Sequence, residues 1–165
     1  MRKKETFAQE LSDILIKQRV VSAEVARQIQ DSYGRSSIDE FDDFLLEEGL
    51  VAKEDILKAL SDYYKVPAFD VGGKFFDRLL LQNFPKEFLI RNVVIPREEE
   101  NEDMLMVVAA DPQRPGLEAA MREFANTDIS FLVGIRQDII DAVNEYYEKA
   151  DTEDAVDWDD MYDAK

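Results

Sequence analysis

Carboxylates are the reactive groups this sequence holds in excess. Asp and Glu number 37 against 20 Lys and Arg, with no His and no Cys. Acid–base catalysis by two carboxyls needs them across a cleft, in environments that push their pKa values apart. Here the pairs are adjacent in sequence, as in Asp42-Asp43, Glu47-Glu48 and Glu98-Glu99-Glu100. Neighbours of that kind read as solvated helix faces and turns. Without thiols or imidazoles there is no thiolate nucleophile, no imidazole base and none of the usual zinc ligand sets. Gly72-Gly73-Lys74 has the composition of a phosphate loop, but Phe75 stands where Ser or Thr is needed and no earlier Gly has the right spacing. It reads as a turn. Asp157, Asp159, Asp160 and Asp163 lack the central Gly and terminal Glu of a calcium loop. No catalytic, metal or cofactor-binding set is assigned, and the chain is expected not to be an enzyme.

The net charge of −17 points the same way. Nucleic-acid and anionic-membrane binding both begin with Lys and Arg neutralising phosphate. This chain repels both surfaces. The N-terminal Met1–Leu11 stretch is basic but lacks the apolar run of a signal peptide. No apolar run reaches the ~20 residues that span a bilayer. The expected setting is the cytoplasm, without direct membrane insertion.

The element pattern shows what could position these groups. A shift of 30 residues lays Leu11–Val21 over Phe41–Val51, with Glu24 over Glu54, Ile29 over Ala59 and Tyr33 over Tyr63. Apolar positions coincide while charges vary, as in a repeat of helix pairs. Phe7, Leu11, Ile14 and Leu15 have helical spacing, as do Ile38, Phe41, Phe44 and Leu45. Gly49 ends one helix, as a residue tolerant of positive φ does. Arg19 holds the matching place in the first copy and reads as a weaker stop. Ser22 can cap a second helix whose apolar face is Val25, Ile29 and Tyr33; Ile56, Leu57, Leu60 and Tyr64 repeat that face. Tyr33–Ser37 reads as the linker between copies.

The texture changes after Val66-Pro67. Phe75–Leu81 and Pro85–Ile90 read as helices and Val93–Ile95 as a strand. Glu98–Asp103 reads as a charged turn. Met104–Ala110 is unbroken apolar sequence, as a central strand requires. Asp111–Gly116 reads as a loop, Leu117–Ala125 as a helix, Ile129–Val133 as a strand and Gln137–Tyr147 as a closing helix. The expected fold is α+β or α/β: a helical repeat subdomain over residues 1–65, then a small helix-covered β-sheet subdomain over 66–150. Residues 151–165 hold seven acids against one Lys and are expected to be an acidic tail or linker. Trp158, Met161 and Tyr162 interrupt those acids, as in a docking segment that folds on binding.

This combination resembles the N-terminal domain of type II secretion and type IV pilus assembly ATPases, over about residues 8–149. The resemblance is carried by Asp43–Leu60, Tyr64–Asp70, Phe84-Pro85, Val93–Pro96 and Met106–Pro112. It implies a non-catalytic adaptor that docks the motor to the cytoplasmic part of an inner-membrane assembly protein. Walker motifs are absent throughout, which leaves a stand-alone relative or a piece cut before the motor. One branch of that family binds cyclic di-GMP through both repeats, with an Arg-Leu-Gly start to each copy and a later Gly. Here the triplets are Glu10-Leu11-Ser12 and Glu40-Phe41-Asp42, and of the later pair, Arg19 and Gly49, only Gly49 fits. Glu in place of Arg repels a dianionic ligand, which argues against cyclic di-GMP binding. The leading reading is therefore an adaptor whose partner surface is Glu40, Asp43, Phe44, Glu47 and Glu48, with Phe44 left partly uncovered and recruitment to the inner face of the inner membrane. The alternatives are a degenerate cyclic di-GMP sensor and an acidic mimic of nucleic acid.

Overall fold

Two amphipathic helices per repeat build the N-terminal half of the computed structural model, which describes residues 4–74, 76–97 and 104–148. They are α1 (Lys4–Lys17), α2 (Ala23–Gly34), α3 (Phe41–Glu47) and α4 (Lys53–Tyr64). Apolar side chains at helical spacing turn inward, so Phe7, Leu11 and Leu15 of α1 meet Phe41 and Leu45 of α3 and Ile56 and Leu60 of α4 in one cluster. Leu15 and Leu45, equivalent by the 30-residue shift, are both fully buried.

The two copies also stop their first helices in the same way. Arg19 N–H donates to Ile16 C=O at 3.0 Å and Val20 N–H to Leu15 C=O at 2.9 Å. In the second copy Gly49 N–H donates to Leu46 C=O at 3.1 Å and Leu50 N–H to Leu45 C=O at 3.0 Å. Both are Schellman turns, and Arg19 (φ 62°) adopts the left-handed conformation of Gly49 (φ 66°). Ser22 caps α2 by accepting from Val25 N–H at 3.1 Å, and Glu24 lies in the first turn.

The helices differ from expectation in detail. Val25 is exposed and Ala26 takes the inward place, because Ala26, Ile29 and Tyr33 at i, i+3 and i+7 form the buried face of α2. Tyr33 and Gly34 belong to α2, so the linker starts at Arg35. Ile38 packs on the core but precedes α3. Asp42 lies on no solvated face; it is buried in the first turn of α3, where the helix dipole favours a carboxylate.

The second half holds α5 (Arg78–Leu81), α6 (Lys86–Asn92), β1 (Val94–Arg97), β2 (Met104–Ala109), α7 (Leu117–Arg122), β3 (Asp128–Val133) and a helix over 136–148, here α8. The sheet order is β1-β2-β3. β1 runs antiparallel to β2, with Ile95 opposite Val108. β3 runs parallel to it, with Phe131 opposite Val107, since α7 provides the crossover. The apolar run at β2 is central, as expected. Leu89, Ile95, Val107, Met121 and Ile139 are fully buried between sheet and helices. The architecture is α+β.

Three expected boundaries move. The α5 helix covers Arg78–Leu81 only, with Asp77 as its N-cap accepting from Leu79 N–H. The α7 helix ends at Arg122. Val93 is not in the strand: it caps α6 at φ 50°, a left-handed turn uncommon for a β-branched residue, and its C=O accepts from Ala110 N–H. The expected turn at Glu98–Asp103 lies outside the described residues.

The stretch that follows α4 pairs with β3. Phe69 N–H donates to Val133 C=O and Val133 N–H to Pro67 C=O, each at 2.9 Å. Val133 and Ile135 thereby enter the core of the helical half.

Candidate functional site

The expected partner surface is only partly assembled. Glu40 sits at the N-cap of α3 and is half-buried. Asp43 faces the second half, where its Oδ2 lies 3.7 Å from Nε of Arg136. Phe44 does not emerge: it is 3% exposed and packs against the rings of Tyr33 and Phe41. Its place at i+3 from Phe41 on a seven-residue helix puts it on the core side. Glu47 and Glu48 are exposed at the end of α3, and beside them Leu50 is 44% exposed. The apolar residue that this corner offers to solvent is therefore Leu50.

Of the positions that match the Arg-Leu-Gly triplets, the second and third are buried in both copies, while Glu10 lies within α1 and Glu40 at the N-cap of α3. Leu11 and Phe41 are core residues, and Ser12 and Asp42 are the two buried polar residues of the described chain. Glu10 is exposed and lines a shallow hollow of about 370 Å³ with Asp13, Ile14, Lys17, Asp62, Tyr63 and Lys65.

A larger groove adjoins this hollow. It measures about 690 Å³ and is lined by Lys17, Gln18, Lys58, Ser61, Asp62, Lys65, Val66 and Pro67. Its lining sets three exposed lysines against one acid, and it shares Lys17, Asp62 and Lys65 with the hollow, where Glu10 and Asp13 stand beside them. Lys65 Nζ lies 3.1 Å from Asp62 Oδ1, while among the described residues neither Lys17 nor Lys58 is ion-paired. Ser61 Oγ donates to Val66 C=O at 2.7 Å and holds the lip of the groove. The Gln18 amide oxygen in its wall is buried with no hydrogen-bond partner among the described residues. Sequence reading passed over this groove. Lys58, Ser61, Asp62 and Lys65 do share a helix face by spacing, but Lys17 arrives from α1 only through the packing of α1 on α4.

A second set of charges lies where the halves meet. Lys53, at the start of α4, has its Nζ 2.9 Å from Asp138 Oδ2 of α8 and 4.0 Å from Asp70 Oδ1. The contact with Asp138 holds the Lys53 pKa above its ordinary value, against an opposing desolvation. Gly72 N–H caps the Asp70 carboxylate at 3.1 Å, and Gly73 (φ 74°) turns the chain, so the Gly72-Gly73-Lys74 stretch is a turn, as expected. Among the described residues no group of three or more acids is gathered as metal ligands would be. None of their helices is long and apolar enough to cross a membrane. The calcium-like acids Asp157, Asp159, Asp160 and Asp163, and the docking residues Trp158, Met161 and Tyr162, lie outside the described residues.

The helical repeat joined to a three-stranded sheet is the fold seen in N-terminal domains of type II secretion and type IV pilus assembly ATPases. The model of the MshEN domain matches residues 64–153, more than half of the chain, and the chain belongs to that family. Its fold is similar to that in "Structure of MshE with cdg", at TM-score 0.63 and 18% identity, over 83% of this chain and 98% of that one. It is also similar to the N-terminal domain of XpsE, at TM-score 0.54 and 19% identity, over 87% of this chain and 96% of that one. No curated protein matches the chain in sequence.

Proposed function

We propose that this domain is a non-catalytic adaptor that docks, through its helical half, to the cytoplasmic region of an inner-membrane assembly protein. In this reading it works in the cytoplasm at the inner face of that membrane. The observation that carries the proposal is the corner where exposed Glu47 and Glu48 flank the exposed Leu50, with half-buried Glu40 and ion-paired Asp43 at the other end of α3. An apolar contact inside a charged rim suits a specific interface, and the rim speeds encounter with a basic partner. Because Asp43 already serves Arg136, the informative variants are Glu47→Lys/Glu48→Lys and Leu50→Ser. In calorimetry against the purified cytoplasmic region of the assembly protein from the same system, wild type should bind and both variants should weaken. Equal affinities for all three would exclude this corner.

A second reading comes from MshE, whose structure holds cdg, read here as cyclic di-GMP. In this chain the triplet positions carry Glu10 and Glu40, and the hollow beside Glu10 holds three carboxylates, Glu10, Asp13 and Asp62, against two lysines, Lys17 and Lys65. Those carboxylates disfavour a dianionic ligand. They leave the sensor reading as an alternative to be measured, alongside an acidic mimic of nucleic acid.

A further inference from the structure

We propose that the groove of Lys17, Lys58 and Lys65 receives the chain's own acidic segment, Asp157–Asp163, with Trp158 against its apolar lip. Complementarity is the first argument. The groove carries a net positive charge on a molecule of net charge −17, and residues 151–165 carry seven acids and one lysine. None of the triplet positions lines it. Lysines at the C-terminal ends of α1 and α4 complement the helix dipoles, which accounts for Lys17 and Lys65. Lys58 lies in the interior of α4, four residues after Glu54 and four before Asp62.

The second argument is shape and composition. Val66 and Pro67 form an apolar lip beside the three ammonium groups. Asp157-Trp158-Asp159-Asp160 presents the matching alternation, an indole among carboxylates. The Gln18 amide oxygen lacks a donor, and an indole N–H is a donor only.

The third argument is reach. Tyr147, near the end of α8, donates through its hydroxyl to Phe84 C=O just before α6. At the far end of α6, Arg91 C=O accepts from Arg114, whose neighbour Gln113 donates to Tyr64 C=O beside the groove. The α6 helix has seven residues, about 10 Å of axis. Ten residues lead from Glu148 to Trp158, up to ~35 Å when extended.

Trp158 is the chain's single tryptophan, so its emission reports this contact directly. The full chain should show a blue-shifted emission, protected from acrylamide, at every protein concentration. High salt should shift it to the red. So should the groove variant Lys17→Gln/Lys58→Gln/Lys65→Asn, with circular dichroism showing the helices retained. The tail variant Asp157→Asn/Asp159→Asn/Asp160→Asn alters no groove residue and should do the same. Wild-type emission equal to that of the urea-unfolded chain would overturn the proposal. So would a blue shift that survives the groove variant, which places the segment elsewhere, or one that appears only at high concentration, which places it on a second copy.

Discussion

Arg19 shows how a single residue can carry a cost that the repeat makes visible. It holds the left-handed position that Gly49 holds in the other copy, within the same pair of hydrogen bonds. For a residue with a Cβ that conformation costs roughly 1–2 kcal/mol, against a smaller entropic advantage in the unfolded chain. Arg19→Gly should therefore stabilise the protein by roughly 0.5–1 kcal/mol, read as a higher midpoint in urea. Leu45 lies at the opposite extreme. It is fully buried, and Leu45→Ala should cost about 2–5 kcal/mol. An unmoved melting curve would refute the packing of α3 described above.

At the scale of elements, the seam between α4 and α8 makes a prediction about pH. Lys53 is held charged mainly by its hydrogen-bonded contact with Asp138, helped by Asp70 and Glu54. Its pKa is raised, so its contribution is complete below the unfolded lysine value of about 10.4 and is lost as pH climbs through the higher folded value. Burial, aided by Tyr146 and Glu87, also raises the pKa of Tyr147, whose hydroxyl donates to Phe84 C=O. Its stabilising effect likewise disappears above the unfolded tyrosine value of about 10. Thermal melts should thus show a flat stability near neutral pH and a fall above about pH 10. In Lys53→Met the lysine share of that fall should vanish, leaving a shallower alkaline slope. A slope identical to wild type would mean that the seam does not depend on this ion pair.

For the whole molecule, charge and fold pull toward different ligands, and the measurement is direct. The family fold is one in which MshE was solved with cdg, whereas this chain presents Glu10 and Glu40 at the triplet positions. Calorimetry with cyclic di-GMP at micromolar concentration should give no isotherm; a tight one would restore the sensor reading. Glu10→Arg/Glu40→Arg should not create binding on its own. Ser12 and Asp42 are both buried, and Arg19 replaces the expected Gly. The acidic-mimic reading has its own test, a basic partner whose binding collapses as salt rises while nucleic acid competes for it.

Periodicity was enough to read most of the elements. The 30-residue shift exposed the helix pairs, Ser22 announced its cap, and the unbroken run at Met104–Ala109 announced the central strand. These are local signals, written in residues that neighbour one another along the chain or across one helix face. What surrounds a face is not written there. Phe44 is spaced like its covered neighbours and like a partly uncovered one, and only the packing of α3 on Tyr33 decided for burial. Asp42 and Asp43 are adjacent acids in sequence, yet one is buried and the other faces Arg136, nearly a hundred residues away. The lysine groove needs Lys17 from one repeat and Lys58 and Lys65 from the other. Neither helix alone determines that meeting, which follows from how α1 packs on α4.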